Sequence, residues 1–78
     1  MFCYVYVLES VTTKGLYVGH TKDLVKRLAE HNRGANLSTK FKRPWRLIHY
    51  EAYRDILDAR RRERYLKTGQ GGRLLKRM

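Results

Sequence analysis

The sequence predicts an α+β domain: a small three-stranded antiparallel sheet flanked by helices, in the order β-β-α-β-α. Three observations carry this. Residues 2–8 and 45–53 are rich in β-branched and aromatic side chains. Residues 16–19 form a second β-type run just after a turn signal, Thr12-Thr13-Lys14-Gly15. Residues 23–33 and 55–67 carry apolar side chains at helical spacing behind acidic caps. With 78 residues the chain reads as one domain, 1–78, near the lower limit at which an apolar core holds without staples.

Phe2-Cys3-Tyr4-Val5-Tyr6-Val7-Leu8 is apolar at both parities, which predicts a strand covered on both faces and central in its sheet. Leu16-Tyr17-Val18-Gly19 predicts its hairpin partner, with Gly19 ending the strand and leaving backbone open beside Tyr17. Thr21 or Asp23 caps a helix over Asp23–Arg33, stopped by Gly34. Its apolar stripe is Leu24, Val25, Leu28 and Ala29. Ala35–Pro44 reads as a loop and Trp45–Tyr53 as a third strand. Asp55 caps a second helix that runs to about Lys67, and Gly69 ends it. Gly71 and Gly72 predict a mobile joint before a basic tail, Arg73–Met78, which could form a helical stub.

The net charge is +11, and it is uneven: residues 1–39 carry +2 and residues 40–78 carry +9. So much like charge on so small a chain calls for an anionic partner. Nucleic acid is the first candidate and an anionic membrane surface the second. One cysteine, Cys3, excludes an intrachain disulfide and a multi-cysteine zinc site. The apolar run Phe2–Leu8 is seven residues, against the ~20 needed to span a bilayer. It also lacks the features of a signal peptide. The expected setting is reducing and cytoplasmic.

Three places carry side chains suited to chemistry. On the second helix Glu63 falls inside the narrow apolar stripe, between Ile56 and Leu66. An inward carboxylate costs several kcal/mol unless it is paired. It is therefore either half of a structural salt bridge or a metal ligand or catalytic acid at a cleft edge. On the first helix Arg27 and His31 share a face at the stripe's edge. Such a pair can hold phosphate and shuttle a proton, or can be ordinary surface. On the hairpin Tyr6 and Tyr17 bring two phenols together if they share a face, although strand aromatics usually just pack.

Each signal is weak alone, but their order along the chain is informative. Tyr6-Val7-Leu8, Tyr17-Val18-Gly19, Arg27 and His31, then Glu63 on a later helix, together resemble the GIY-YIG nuclease superfamily. Tyr17-Val18-Gly19 matches the second motif triplet. In the first, Tyr4-Val5-Tyr6 lacks the glycine and keeps the final tyrosine. Ala59–Lys67 resembles the family's glutamate helix. The resemblance covers almost the whole chain. It is closest to small stand-alone members and more distant from the N-terminal domain of the repair excinuclease, which brings a DNA-repair setting with it.

The resemblance implies an endonuclease that hydrolyses phosphodiester bonds with one divalent metal ion, Mg²⁺ or Mn²⁺. DNA is favoured over RNA as the partner, and structure over sequence as the determinant. Glu63 takes the role of metal ligand and Arg27 that of phosphate ligand. Tyr6 or Tyr17 activates water, helped by His31. His20 and Gly19 lie beside the second triplet, where they could meet nucleic acid. Lys40, Lys42, Arg43, Arg60, Arg61, Arg64 and Lys67, with Arg73, Lys76 and Arg77 in the tail, are candidate phosphate contacts. The relatives' asparagine beyond the glutamate has no counterpart after Glu63. The competing readings are an inactive nucleic-acid-binding module and an adaptor whose specificity comes from a protein partner. A membrane-surface role is disfavoured, because Glu63 breaks the apolar face of the basic helix.

The charge yields the first test. With about five duplex phosphates neutralised, a plot of log affinity against log salt should slope at roughly −4 to −5. A flat response in fluorescence anisotropy titrations would point to another class of partner.

Overall fold

A computed structural model describes residues 1–76, with side-chain surroundings for all of these except residues 73, 74 and 76. Three strands, β1 (Cys3–Ser10), β2 (Leu16–Thr21) and β3 (Trp45–Tyr53), form an antiparallel sheet in the order β2-β1-β3. The double-sided strand β1 is central, as its apolar pattern requires. Its odd residues Cys3, Val5 and Val7 pack with Val18 against Ala59 and Leu66 of α2 (Ile56–Leu66) and Leu75 of α3 (Gly69–Lys76). Its even residues Tyr6 and Leu8 pack with Trp45 and, from α1 (Leu24–Arg33), Leu24 and Leu28. The sheet is thus covered by α1 on one face and by α2 and α3 on the other.

Local signals set the helix ends. The Asp23 carboxylate accepts from the Lys26 amide, and Asp55 does the same for Leu57. Gly34 closes α1 in the left-handed region at φ 84°, which favours glycine. The buried side of α1 differs from the predicted stripe. Val25 is 83% exposed, and the inward line is Leu24, Arg27, Leu28 and His31. His31 is fully buried, a cost its two side-chain hydrogen bonds offset.

Three further expectations are corrected. The 35–44 segment is not a plain loop, because Lys40–Lys42 forms a 3₁₀ turn. Gly69 does not end the fold's helices; it opens α3. Gly71 and Gly72 are helical, not a joint. A Cβ on Gly71 would overlap the Tyr65 carbonyl, so glycine lets α3 approach the end of α2 closely. The side chains of Arg73, Lys76 and Arg77, expected to add phosphate contacts, lie outside the described residues.

A polar cluster ties α2 to β3. The Glu51 carboxylate accepts from Arg62 at 2.9 and 3.1 Å, from the Tyr53 hydroxyl at 2.8 Å and pairs with His49 at 3.1 Å. Burial by itself would raise this carboxyl. The hydrogen bonds from Arg62, His49 and Tyr53 outweigh it and bring it down to about 2, from 4.5.

Because the folded state holds this proton less tightly than the unfolded chain, Glu51 adds its full stability above pH 4.5 and loses it as pH falls toward 2. The whole fall is worth on the order of 3 kcal/mol, which solvent screening brings to about 1–2. Glu51→Gln should therefore lower stability at pH 7 and flatten the acid profile between pH 4.5 and 2. Denaturant melts across that range check this; a variant whose profile runs parallel to the parent's would remove Glu51 as the source.

Candidate active site

The site begins with the register of the hairpin. Tyr6 stands opposite Gly19, and Leu8 opposite Tyr17, so Tyr6 and Tyr17 lie diagonally on the same face. Their ring centroids are 6.4 Å apart. Since β2 is an edge strand, the Tyr6 phenol leans outward from the central strand and crosses over Gly19. A Cβ on Gly19 would lie 2.5 Å from the Tyr6 hydroxyl oxygen. Gly19 is therefore buried under two aromatic rings and does not offer open backbone to a phosphate. It also sits inside β2, which continues to Thr21, so its expected roles as strand end and nucleic-acid contact are both withdrawn.

The Tyr6 hydroxyl meets two groups from α1. It lies 2.9 Å from His31 Nε2, and Arg27 Nε donates to it at 3.4 Å. His31 Nδ1 is 2.8 Å from the Thr39 hydroxyl, which donates to the Asn36 carbonyl at 3.4 Å. With the Thr39 proton so placed, its oxygen accepts from His31 Nδ1–H. The free lone pair on Nε2 then accepts the Tyr6 proton; this tautomer is assigned from the hydrogen-bond chain. Tyr17 stacks its ring 4.9 Å from His31 and makes no hydroxyl contact among the described residues. Of the two tyrosines, Tyr6 is the one bonded to His31 and Arg27, and Tyr17 walls it.

Burial raises Tyr6 above the ordinary phenol range. The Arg27 hydrogen bond opposes this, while Tyr17 and the charge of Glu63 add to the rise. Burial lowers His31, and the Arg27 charge lowers it further. His31 is thus neutral at pH 7 and Tyr6 protonated. Arg27 is held in place by Glu30, which accepts from its Nη1 at 3.2 Å.

Glu63 arrives from the other layer. His20 faces α2, and its Nδ1 pairs with Glu63 Oε1. Lys67 Nζ donates to Oε2 at 2.6 Å and stands 6.0 Å from the Tyr17 ring. The two faces of the sheet thus meet around the free edge of β2. Burial would raise Glu63, yet the hydrogen bonds from Lys67 and His20 bring it below the usual carboxylate range. The inward carboxylate is paired, not stranded, so the salt-bridge reading describes its present contacts. It fronts an open pocket of about 310 Å³ lined by His20, Arg60, Glu63, Arg64 and Lys67. Among the described residues no three His, Cys, Asp or Glu side chains converge as a closed metal cage. A lone carboxylate at an open pocket suits Mg²⁺ or Mn²⁺, hard ions that keep water and take phosphate oxygens.

The remaining basic candidates lie elsewhere. Lys40 and Arg43 line a separate depression with Asn32, Phe41 and Pro44. Arg43 Nε donates to the Lys40 carbonyl at 2.8 Å, and its guanidinium lies against Gly34, so it braces the turn. Thr39 and Asn32 were not legible as site residues. Asn32 holds both backbone groups of Trp45, and the Trp45 indole donates to the Thr39 carbonyl at 2.9 Å. The supports of His31 thus come from across a loop, where sequence spacing gives no sign.

A family model of the GIY-YIG catalytic domain matches residues 2–72. The chain belongs to the GIY-YIG family. UPF0213 protein SpyM3_1077 of Streptococcus pyogenes is 49% identical over 51 residues, or 64% of this chain and 54% of that protein. UPF0213 protein SpyM50708 of the same species is 47% identical over the same shares. The match thus spans about half the length of these curated relatives. The solution NMR structure of UPF0213 protein BH0048 from Bacillus halodurans superposes with a TM-score of 0.59 at 30% identity, over 96% of this chain and 82% of that one. This GIY-YIG domain therefore has a family precedent for its three-stranded sheet and flanking helices.

Gly19→Ala tests the crossing. It should cost about 1–3 kcal/mol through overpacking and shift the His31 ring resonances, because Tyr6 must move. Gly69→Ala meets open space and should leave stability unchanged or raise it by up to ~1 kcal/mol. Equal behaviour of the two variants would show that Tyr6 does not need the gap.

Proposed function

We propose that this GIY-YIG domain is a metal-dependent endonuclease that hydrolyses phosphodiester bonds, with DNA as the expected substrate. The observation that carries the reading is the Tyr6 hydroxyl held between His31 Nε2 and Arg27 Nε, on the same strand edge as Glu63. Tyr6 is the candidate general base. His31 Nε2 takes the phenol proton, and the phenolate oxygen then takes one from water as that water attacks phosphorus. Arg27 Nε steadies the phenolate, and the guanidinium protons that Glu30 does not hold are left for a phosphate. Glu63 would hold a divalent ion, and such an ion would neutralise charge on the phosphate and the leaving oxygen.

The raised Tyr6 and lowered His31 keep the resting proton on Tyr6. Neutralising Glu63 removes one of the contributions that holds it there. Arg60, Arg64 and Lys67 surround the Glu63 pocket and recognise phosphate, which carries no sequence information.

One observation favours a second reading, a binding module without activity. Both Glu63 oxygens are already engaged, one by His20 and one by Lys67. Glu63→Gln separates the two. Under the nuclease reading, cleavage of labelled flap, branched and single-stranded DNA in Mg²⁺ falls by orders of magnitude while binding holds or tightens. The fold loses a modest amount of stability, because a paired carboxylate is removed. If the parent protein binds every substrate and cleaves none in Mg²⁺ or Mn²⁺, the binding-module reading replaces it.

A further inference from the structure

The 3₁₀ turn Lys40–Lys42 presents Phe41 to solvent with 84% of its surface exposed. Full burial of a phenylalanine is worth about 1.5–3 kcal/mol. The turn that carries it is nonetheless firmly held. The Ser10 hydroxyl donates to the Lys42 carbonyl at 2.7 Å, and the Val11 amide to that of Pro44 at 2.9 Å. The Trp45 indole holds the Thr39 carbonyl, and Arg43 holds that of Lys40. An aromatic ring on an anchored turn is a fixed platform. The residues on either side of it are cations, Lys40 and Lys42, and the Lys40 ammonium sits 5.5 Å from the ring centroid.

An exposed ring with one ammonium over it and a second lysine next to it in the chain matches a nucleobase and its adjoining phosphate. Base stacking on an aromatic side chain needs no particular base, but it does need a base whose face is uncovered. Inside a duplex both faces are taken by neighbours. The platform occupies a depression separate from the Glu63 pocket and is joined to the proposed active site through Thr39, two residues earlier, which holds His31.

We propose that Phe41, with Lys40 and Lys42, is a stacking site for an unpaired nucleotide, so that this domain selects nucleic acid with a single-stranded segment close to the bond cleaved. Its placement beside the cleaved bond rests on the nuclease reading above; the stacking itself does not. The favoured substrates are single strands, flaps and splayed junctions, and an intact duplex is disfavoured.

The test is binding in EDTA, which needs no cleavage. A fluorescein-labelled single strand of about 12 nucleotides, within common site sizes, is compared with a blunt duplex of the same length. Phe41→Ala should weaken single-strand binding by about tenfold and leave duplex binding within about twofold. Phe41→Trp should restore it, and added single strand should quench the new indole's fluorescence. The side chain is exposed, so thermal melts of both variants should match the parent's. Unchanged single-strand binding by Phe41→Ala would overturn the proposal. So would an equal loss on both probes, which marks a general backbone contact. A shift from dimer to monomer in sedimentation, with single-strand affinity kept, would assign Phe41 to a second copy of the chain. If the strand binds as expected but the parent cleaves nothing, the stacking site stands and the nuclease reading alone fails.

Discussion

The site depends on one steric allowance, the missing side chain at Gly19. A tyrosine on a central strand normally points straight off the sheet. Here the ring leans across the neighbouring strand, and its hydroxyl comes to rest where the Gly19 side chain would be. The ring stays buried in the core, but its hydroxyl lies over the edge strand β2. The lean also brings the hydroxyl to α1, where His31 and Arg27 wait one helical turn apart. Without the gap the same residues would form an ordinary aromatic core layer.

Burial and charge are balanced around this hydroxyl in a consistent way. Desolvation pushes Tyr6 up and His31 down, so each prefers its neutral form. Arg27 acts on both, steadying the phenolate and discouraging imidazolium. The outcome is a neutral pair that does not ionise idly but is close enough to exchange a proton. Thr39 contributes by fixing which imidazole nitrogen bears the hydrogen. It is fully buried and itself clamped by Trp45, so the tautomer is set by the core and not by solvent.

Much of this was legible in the sequence because its signals are local. The double-sided pattern of Phe2–Leu8 placed β1 in the centre, and Asp23, Gly34 and Asp55 marked helix ends through short-range hydrogen bonds or a positive φ. Glu63 stood out because a charge in an apolar stripe breaks a periodic rule. What was not legible depends on contacts between distant segments. Val25 fits the helical wheel of α1 as well as His31 does, and only the position of Tyr6 and Thr39 makes histidine the buried residue. Gly71 looks like a hinge in sequence, yet the close approach of α3 to α2 is what requires it. Gly19 was read as an opening for a ligand, when the space it leaves is filled from within.

The same geometry explains how so thin a sheet can join two layers in one site. In a wider sheet, residues on opposite faces are separated by strands on either side. Here β2 is both the partner of the central strand and the edge, so α1 and α2 need only reach round a single strand. Tyr17 and His20 sit three residues apart on β2 and point to opposite faces, Tyr17 toward His31 and His20 toward Glu63. Lys67 spans the edge between them, bonded to Glu63 and facing the Tyr17 ring. Helices that are kept apart by the sheet along most of its width therefore share one charged rim. No helix among the described residues is long and apolar enough to cross a membrane, and the elements are short throughout. A fourth strand beyond β2 would bury this rim and part Tyr6 from Glu63. The open edge of β2 is thus what lets the two layers share this rim.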